Sequence, residues 1–514
     1  MQPCPVPHRF ILYIGILLLI AVFLSGVLPV TLAHANDGDF VWAKAIGAEE
    51  SDQGHGITVD TSGNVYTTGS FKGTVDFDPG PGIFNLTNAG PANAIFISKL
   101  DSNGNFVWAK AIGGQNNCIG YGITVDLFGN VYTTGFFWYT VDFDPGPGTF
   151  DLTSAGWTDI FISKLDSGGN FVWAKAMGGT LYDNGYDISV DTSGNVYTTG
   201  YFEGTADFDP GTGTAGLTSA GGLDIFISKL DSNGDFVWAK GMGGTSEDRG
   251  YGLSIDTSGN VYTTGFFQGT VDFDPGPGTF NLINASGLDI FISKLDSNGD
   301  FAWAKAMGGA SGCEGRGISL DTSGNVYTTG YFTGAVDFDP AGGTTEIITS
   351  IGGSQDIFIS KLDTNGDFAW AKAMGGTSNE NGYGISVDIS GNIYTTGFFQ
   401  DTADFDPGIG TFDLSSQLWN DIFISKLSSN GDFIWAKAMG GALDEYGKGI
   451  SVDTSGNVHI TGYFQGTVDF DPGVGTFNLA SVKDSDDIFI VLLSAPSSFP
   501  WYMFLPAITG KTAP

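Results

Sequence analysis

From residue 40 to residue 493 the chain reads as short apolar runs cut by clusters of Asp, Ser, Asn and Gly. The stretch from 252 to 307 shows the pattern once through. Residues 252–256 (Gly-Leu-Ser-Ile-Asp) alternate apolar and polar side chains, as a strand with one buried face does. Asp256, Gly259 and Asn260 then predict a turn, the Asp and Asn by bonding nearby backbone and the Gly by taking a positive φ. Residues 261–267 are β-branched and aromatic, which suits a second strand. A longer insert, 268–288, carries Asp272-Phe273-Asp274-Pro275-Gly276. Residues 289–295 are a third expected strand, 296–300 a second turn and 301–307 a fourth strand. Four strands joined this way predict one antiparallel meander. The region holds no sustained period of 3.6, so no long helix is expected there.

The meander recurs. The Trp of a Trp-Ala-Lys signature stands at Trp42, Trp108, Trp173, Trp238, Trp303, Trp370 and Trp435, 65–67 residues apart. Such a period marks a repeat whose neighbouring units bury a shared core. The two ends complement each other. Residues 40–46 form a fourth strand with no first three before it, and residues 488–493 a third strand with no fourth behind it. The pattern predicts an all-β fold, a seven-bladed β-propeller with four-stranded antiparallel blades, its last blade closed by the N-terminal strand.

The repeated words are a Trp-bearing strand, Gly56-Ile57-Thr58-Val59-Asp60, Gly63-Asn64-Val65-Tyr66-Thr67-Thr68-Gly69 and Asp159-Ile160-Phe161-Ile162-Ser163-Lys164-Leu165. In these the chain resembles the bacterial seven-bladed β-propeller repeat (SBBP) family, over residues 40–493. The resemblance implies a fold and an extracellular or envelope setting, and it implies no chemistry. The chain departs from the pattern at Leu492, where the other copies carry Lys.

Ahead of the repeats, His8 and Arg9 precede an apolar run from 10 to 24, the breakers Gly26 and Pro29, and Ala33-His34-Ala35. That order predicts a signal peptide over 1–35, cleaved after Ala35, and a bacterial secreted or cell-envelope protein. An uncleaved anchor is the alternative, since residues 10–30 are long enough to span a bilayer. The propeller is expected over 36–493. A linker and a short hydrophobic tail follow over 494–514, the tail being too short and proline-broken to cross a membrane. The mature chain is expected to be monomeric, with no membrane span.

Charge narrows the partners. Twenty Lys and Arg against 56 Asp and Glu give −36, a field that repels nucleic acid and anionic lipid and attracts Ca²⁺ or cationic surfaces. The same acidity also serves solubility and blunts strand edges. Cys4 lies in the leader, and Cys118 and Cys313 fall in equivalent loops too far apart to bridge.

No cofactor is implied with certainty, but Ca²⁺ has candidate ligands. The Asp-Phe-Asp-Pro-Gly motif supplies Asp76 and Asp78, Asp142 and Asp144, Asp207 and Asp209, Asp272 and Asp274, Asp337 and Asp339, Asp404 and Asp406, and Asp469 and Asp471. Alternation puts both carboxylates of a pair on one face, beside a carbonyl-rich turn suited to a hard cation. The competing reading is a turn former with a packed Phe. The loops from second to third strand and from fourth to first must leave the same end of each meander. That loop face is therefore expected to gather the inserts, the Asp pairs and the variable segments.

Duplication copies useful and useless residues alike, so side chains that break the repeat are the better ligand-binding candidates. Trp138, Tyr139, Trp157 and Trp419 stand in inserts and suit stacking on a sugar or anchoring a protein. Arg249 and Arg316, read in loops before first strands, suit a carboxylate ligand or pairing with Asp248 and Glu314. His55 and His459 are the histidines beyond the leader, and no nucleophile–base arrangement or His/Cys metal cluster accompanies them. The expectation is a non-enzymatic scaffold that binds a glycan or a protein through its loop face. A glycoside hydrolase or lyase using channel-mouth carboxylates, and a purely structural envelope component, are the alternatives.

Overall fold

The computed structural model describes residues 36–496 except 89, 285 and 341–345. The expected leader over 1–35 and the expected tail beyond 496 lie outside the described residues. One compact unit spans Gly38–Ala495.

Its repeating element is the four-stranded antiparallel meander. In one copy Gln53–Val59, Val65–Phe71, Ala94–Leu100 and Phe106–Ile112 lie side by side in that order. The first turn forms because Asp60 Oδ1 accepts the N–H groups of Ser62 at 2.9 Å and Asn64 at 3.0 Å, while Gly63 takes φ 79°. The two middle strands are buried on both faces, which is why they read as nearly continuous apolar and Thr runs. Their hydroxyls are satisfied internally: Thr67 shares a 2.6 Å bond with Ser98, and Thr68 donates to the Phe96 carbonyl at 2.8 Å.

Core is made between neighbouring meanders rather than within one. Trp42, Ile46, Ile488 and Ile490 pack with Val65, Phe71, Phe77, Phe96 and Leu100. The innermost strands touch in chain order: Gln53–Val59, Cys118–Val125, Asn184–Val190, Arg249–Ile255, Cys313–Leu320, Asn381–Val387 and Glu445–Val452, the last also touching the first. Phe40–Ile46 pairs antiparallel with Asp487–Leu493, Phe40 opposite Leu493 and Ile46 opposite Ile488.

Three expectations are corrected. The innermost strands begin earlier than composition suggests, at Arg249 rather than 252, because the ladder runs through Gly250-Tyr251-Gly252 by way of a bulge. Cys118 and Cys313 are therefore not loop residues; each is the buried, free first residue of an inner strand. The Asp-pair inserts are not plain loops. Thr270–Asp272 pairs with Asn281–Ile283, Asp272 bridges Gly243 just beyond the preceding unit's fourth strand, and Phe280 packs on Phe301 at 4.9 Å. These partly exposed rings shield the start of the outer strand, which would otherwise present an open edge.

Candidate functional site

Each inner strand has one bulge, and the bulged residue lines the space those strands enclose: His55, Tyr121, Tyr186, Tyr251, Arg316, Tyr383 and Lys448. A bulge re-aims one side chain, so a collar of outward-reading residues turns inward. All but one of the residues flanking the bulges are glycine, Asp187 being the exception, and crowding favours them. A Cβ on Gly56 would stand 2.6 Å from the Tyr121 carbonyl oxygen, and one on Gly54 2.6 Å from Thr461 Oγ1.

The collar is continuous. Ring centroids are 5.2 Å apart for His55 and Tyr121, 5.1 Å for Tyr121 and Tyr186, and 5.1 Å for Tyr186 and Tyr251. The Arg316 guanidinium lies 4.3 Å from the Tyr251 ring and 5.9 Å from that of Tyr383, and Lys448 Nζ lies 3.6 Å from Tyr383. On the side where the inner strands begin, a cavity of about 530 Å³ adds Gln53, Arg249 and Tyr463 to the lining. On the other side a smaller space of about 220 Å³ is bordered by Asp187.

Burial dominates the electrostatics here. It pushes the Lys448 ammonium down to about 7, helped by the Arg316 charge, and the His55 imidazole down to about 3, helped by Lys448. Arg316 pairs with Glu314 at 2.6 Å, and Glu314 also accepts the Tyr331 hydroxyl at 2.8 Å. Arg249 pairs with Glu247 at 3.1 Å rather than with its neighbour Asp248. Lys448 has no carboxylate within ion-pair distance among the described residues. Buried and without a hydrogen-bond partner are Arg249 Nε, Arg316 Nε and His55 Nε2. Both arginines thus lie on strands facing the enclosed space, not in surface loops.

The loop-face aromatics divide. Trp138 stacks on Tyr139 at 4.7 Å and on Trp157 at 5.6 Å, and Trp157 stacks on Tyr182 at 5.7 Å. Tyr182, which composition alone did not single out, completes this row; the variable loop before an inner strand was the available signal. About half of Tyr139 and Trp157 is exposed. Tyr139 takes φ 59° where the equivalent Gly73, Gly204, Gly269, Gly334 and Gly466 take 63–79°. A bulky residue is strained there, and its N–H is held by Ser154 Oγ at 2.9 Å. Trp419 is exposed in a different meander and is not part of the row.

The Asp pairs are engaged with backbone. Asp272 Oδ1 accepts the N–H groups of Asp274 at 3.1 Å and Phe280 at 2.8 Å, and Asp274 Oδ1 accepts that of Gly276 at 2.8 Å. Phe273 between them is fully buried against Phe267 and Phe291. The described residues hold no group of three or more His, Cys, Asp or Glu placed to bind a metal.

A second set of acids escaped sequence reasoning. Where one meander meets the next, buried carboxylates face each other in five pairs: Asp52 with Asp487, Asp183 with Asp159, Asp248 with Asp224, Glu380 with Asp356, and Glu445 with Asp421. Desolvation raises all of them, Asp183 to about 7, Glu380 to about 8 and Glu445 to about 9. Backbone amides soften the cost, as where Gly179 N–H donates to Asp183 at 2.7 Å. At the two remaining seams Cys118 and Cys313 take the inner-strand position.

Comparison with known proteins agrees with the all-β repeat. The family model described as Beta-propeller repeat (SBBP) matches residues 41–70, 107–135 and 172–201. The chain is 25% identical over 463 residues to an uncharacterized WD repeat-containing protein of Acanthamoeba polyphaga mimivirus, covering 75% of this chain and 33% of that one. It is 23% identical over 238 residues to Regulatory protein FlaEY of Caulobacter vibrioides, covering 44% of this chain and 24% of that one. The chain thus spans a third or less of each relative. Among solved structures, Sqt1 from Chaetomium thermophilum aligns over 90% of this chain and 100% of its own, at 9% identity and a TM-score of 0.39. Likeness at that level carries no functional argument.

Proposed function

We propose that this chain, which carries β-propeller repeats of the SBBP family, closes into a seven-bladed ring and works outside the cytoplasm as a protein-binding scaffold. Closure is supported by the cyclic contacts of the inner strands and by the pairing of Phe40–Ile46 with Asp487–Leu493. Export is supported by the charged, apolar and small-residue order of residues 8–35, with cleavage after Ala35. The observation that carries the binding reading is the row Tyr139, Trp138, Trp157, Tyr182. It is half-exposed, and it includes an aromatic residue held in backbone geometry that the other copies reserve mostly for glycine. Strain of that kind persists where something else is gained. We favour a protein partner over a glycan because the faces of Trp138 and Trp157 are largely taken up by stacking within the row, which leaves a continuous aromatic ridge to anchor a protein.

The test is cross-linking of the exported protein to its partners, with the cross-linked residues mapped, beside a glycan array. Cross-links should concentrate around residues 138–158 and 180–182 and be lost in Trp157→Ala with Tyr182→Ala. Undiminished capture by that variant would refute the reading. A glycan bound by the wild type and lost in the variant would transfer the site to a sugar ligand.

A further inference from the structure

We propose that the space enclosed by the inner strands binds a small organic monocarboxylate, its carboxylate between Lys448 and Arg316 and its body against the tyrosine rings of the collar. In a chain of net charge −36, three of the 20 Lys and Arg converge on one cavity. They are not repeat residues. The collar position is Tyr in four units, and Lys or Arg in two. The fold therefore does not require a cation there.

One of the three cations has no counter-ion within ion-pair distance among the described residues. Arg316 and Lys448 flank the same Tyr383 ring, at 5.9 and 3.6 Å, so two like charges are held close in a setting of reduced dielectric. Glu314 answers Arg316 and Glu247 answers Arg249, which leaves Lys448 as the excess positive charge. His55 adds none, being neutral near pH 7. The other carboxylates nearby keep their charge but are held by neutral donors rather than by Lys448. Asp486 accepts from Ser51, Gln53 and Gln465, Asp444 from Asn420, and Asp187 from the N–H groups of Leu253 and Ile188. A cation without an ion-pair partner, next to the Arg316 guanidinium across the Tyr383 ring, suits a monoanion. A cavity of about 530 Å³ is within the range of small-molecule sites.

The site has a signature that packing alone would not produce. Burial lowers Lys448 to about 7, so near pH 8 it is mostly neutral, and a bound carboxylate restores its proton. Titration calorimetry at pH 8 and fixed ionic strength, with acetate, benzoate and glucuronate as probes, should show one saturable site per chain. The heat should vary with the ionisation enthalpy of the buffer, reporting proton uptake, and affinity should fall about tenfold per pH unit from 8 to 9.5. Lys448→Tyr installs the commonest collar residue and should keep the melting temperature while losing the proton uptake and at least tenfold in affinity. Glu314→Asn with Arg316→Tyr copies the Asn381 and Tyr383 arrangement of the next unit and should weaken binding likewise. Trp419→Ala should change nothing. No binding of any probe at about 50 mM overturns the proposal, since even a four-atom head group in a formed site binds in that range. So does binding without proton uptake, binding unchanged in Lys448→Tyr, or binding of inorganic phosphate in place of every carboxylate.

Discussion

The paired acids between meanders predict an unusual stability profile. For each, the folded carboxyl holds its proton to a higher pH than the unfolded one, about 7 for Asp183 and about 9 for Glu445 against an ordinary value near 4. Between those limits the native state binds more protons than the unfolded state, so stability must fall as pH rises. Taking one shared proton per pair and a rise from roughly 4 to 7, going from pH 5 to pH 8 removes about 3 kcal/mol per pair at full desolvation. Water entry and relaxation around a charged seam reduce this to about 1 kcal/mol, so five pairs lose about 5 kcal/mol together. With an unfolding entropy of roughly 1 kcal/mol/K for a unit of this length, the melting temperature should drop by about 5 °C.

The assay is a thermal melt between pH 5 and pH 8 with chelator present. Repulsion among the surface acids of a −36 chain also grows with pH, but it is screened at about 0.5 M salt while proton loss in the seams is not. The slope that survives salt belongs to the seams. Asp421→Asn with Glu445→Gln removes one pair and keeps the acceptor for the Gly441 N–H, so it should flatten that slope by about a fifth. A melting temperature that is flat or rising from pH 5 to pH 8 in salt would refute the reasoning. It would mean the pairs are already neutralised by something other than protons.

Other perturbations test separate parts of the fold. Deleting residues 40–46 strips the partner from Asp487–Leu493 and should give aggregation on expression; a soluble variant with an unchanged melt would remove the case for closure by that strand. Tyr139→Gly should raise stability by about 1 kcal/mol in denaturant titration by relieving left-handed strain, while weakening partner capture. Because the Asp pairs bond backbone amides, Ca²⁺ and Mg²⁺ at matched ionic strength should raise the melting temperature equally, and Asp272→Asn with Asp274→Asn should change that response little; a Ca²⁺-specific rise would assign the pairs to metal. Leu492→Lys alone should destabilise by about 1–2 kcal/mol and be rescued by adding His459→Tyr, measured as a double-mutant cycle.

That last pair shows how far the sequence is legible. Lys lies over Tyr across the middle strands in six units, as Lys99 over Tyr66 at 4.8 Å, and in the seventh both partners change together, His459 standing opposite Leu492. The departure at Leu492 was visible in the repeat, but its meaning was not until cross-strand register paired it with His459, which stays 3.7 Å from Asp453 where Tyr66 bonds Asp60. Local chemistry was readable in the same way throughout. Asp-Ser-Asn-Gly turns, apolar strands and the repeat period all depend on residues close in the chain, so the meander and its repetition could be written down in advance. The collar could not. Strand reading counts in twos, and a bulge breaks the count at the one residue that matters, while the glycines that admit the bulge read as loop. Arg316 was thus read in a loop and Lys448 was not singled out, although both break the Tyr of their repeat equivalents. The seam acids were hidden by distance. Asp183 stands 24 residues from Asp159 in a segment that composition calls a loop, and only contact between neighbouring meanders reveals that the two share one buried space. A signal existed nonetheless. The position that carries Asp52, Asp183, Asp248, Glu380 and Glu445 carries Cys118 and Cys313 in the other two units, and a site that accepts Cys in place of an acid is buried, with the acid there short of water and of cations.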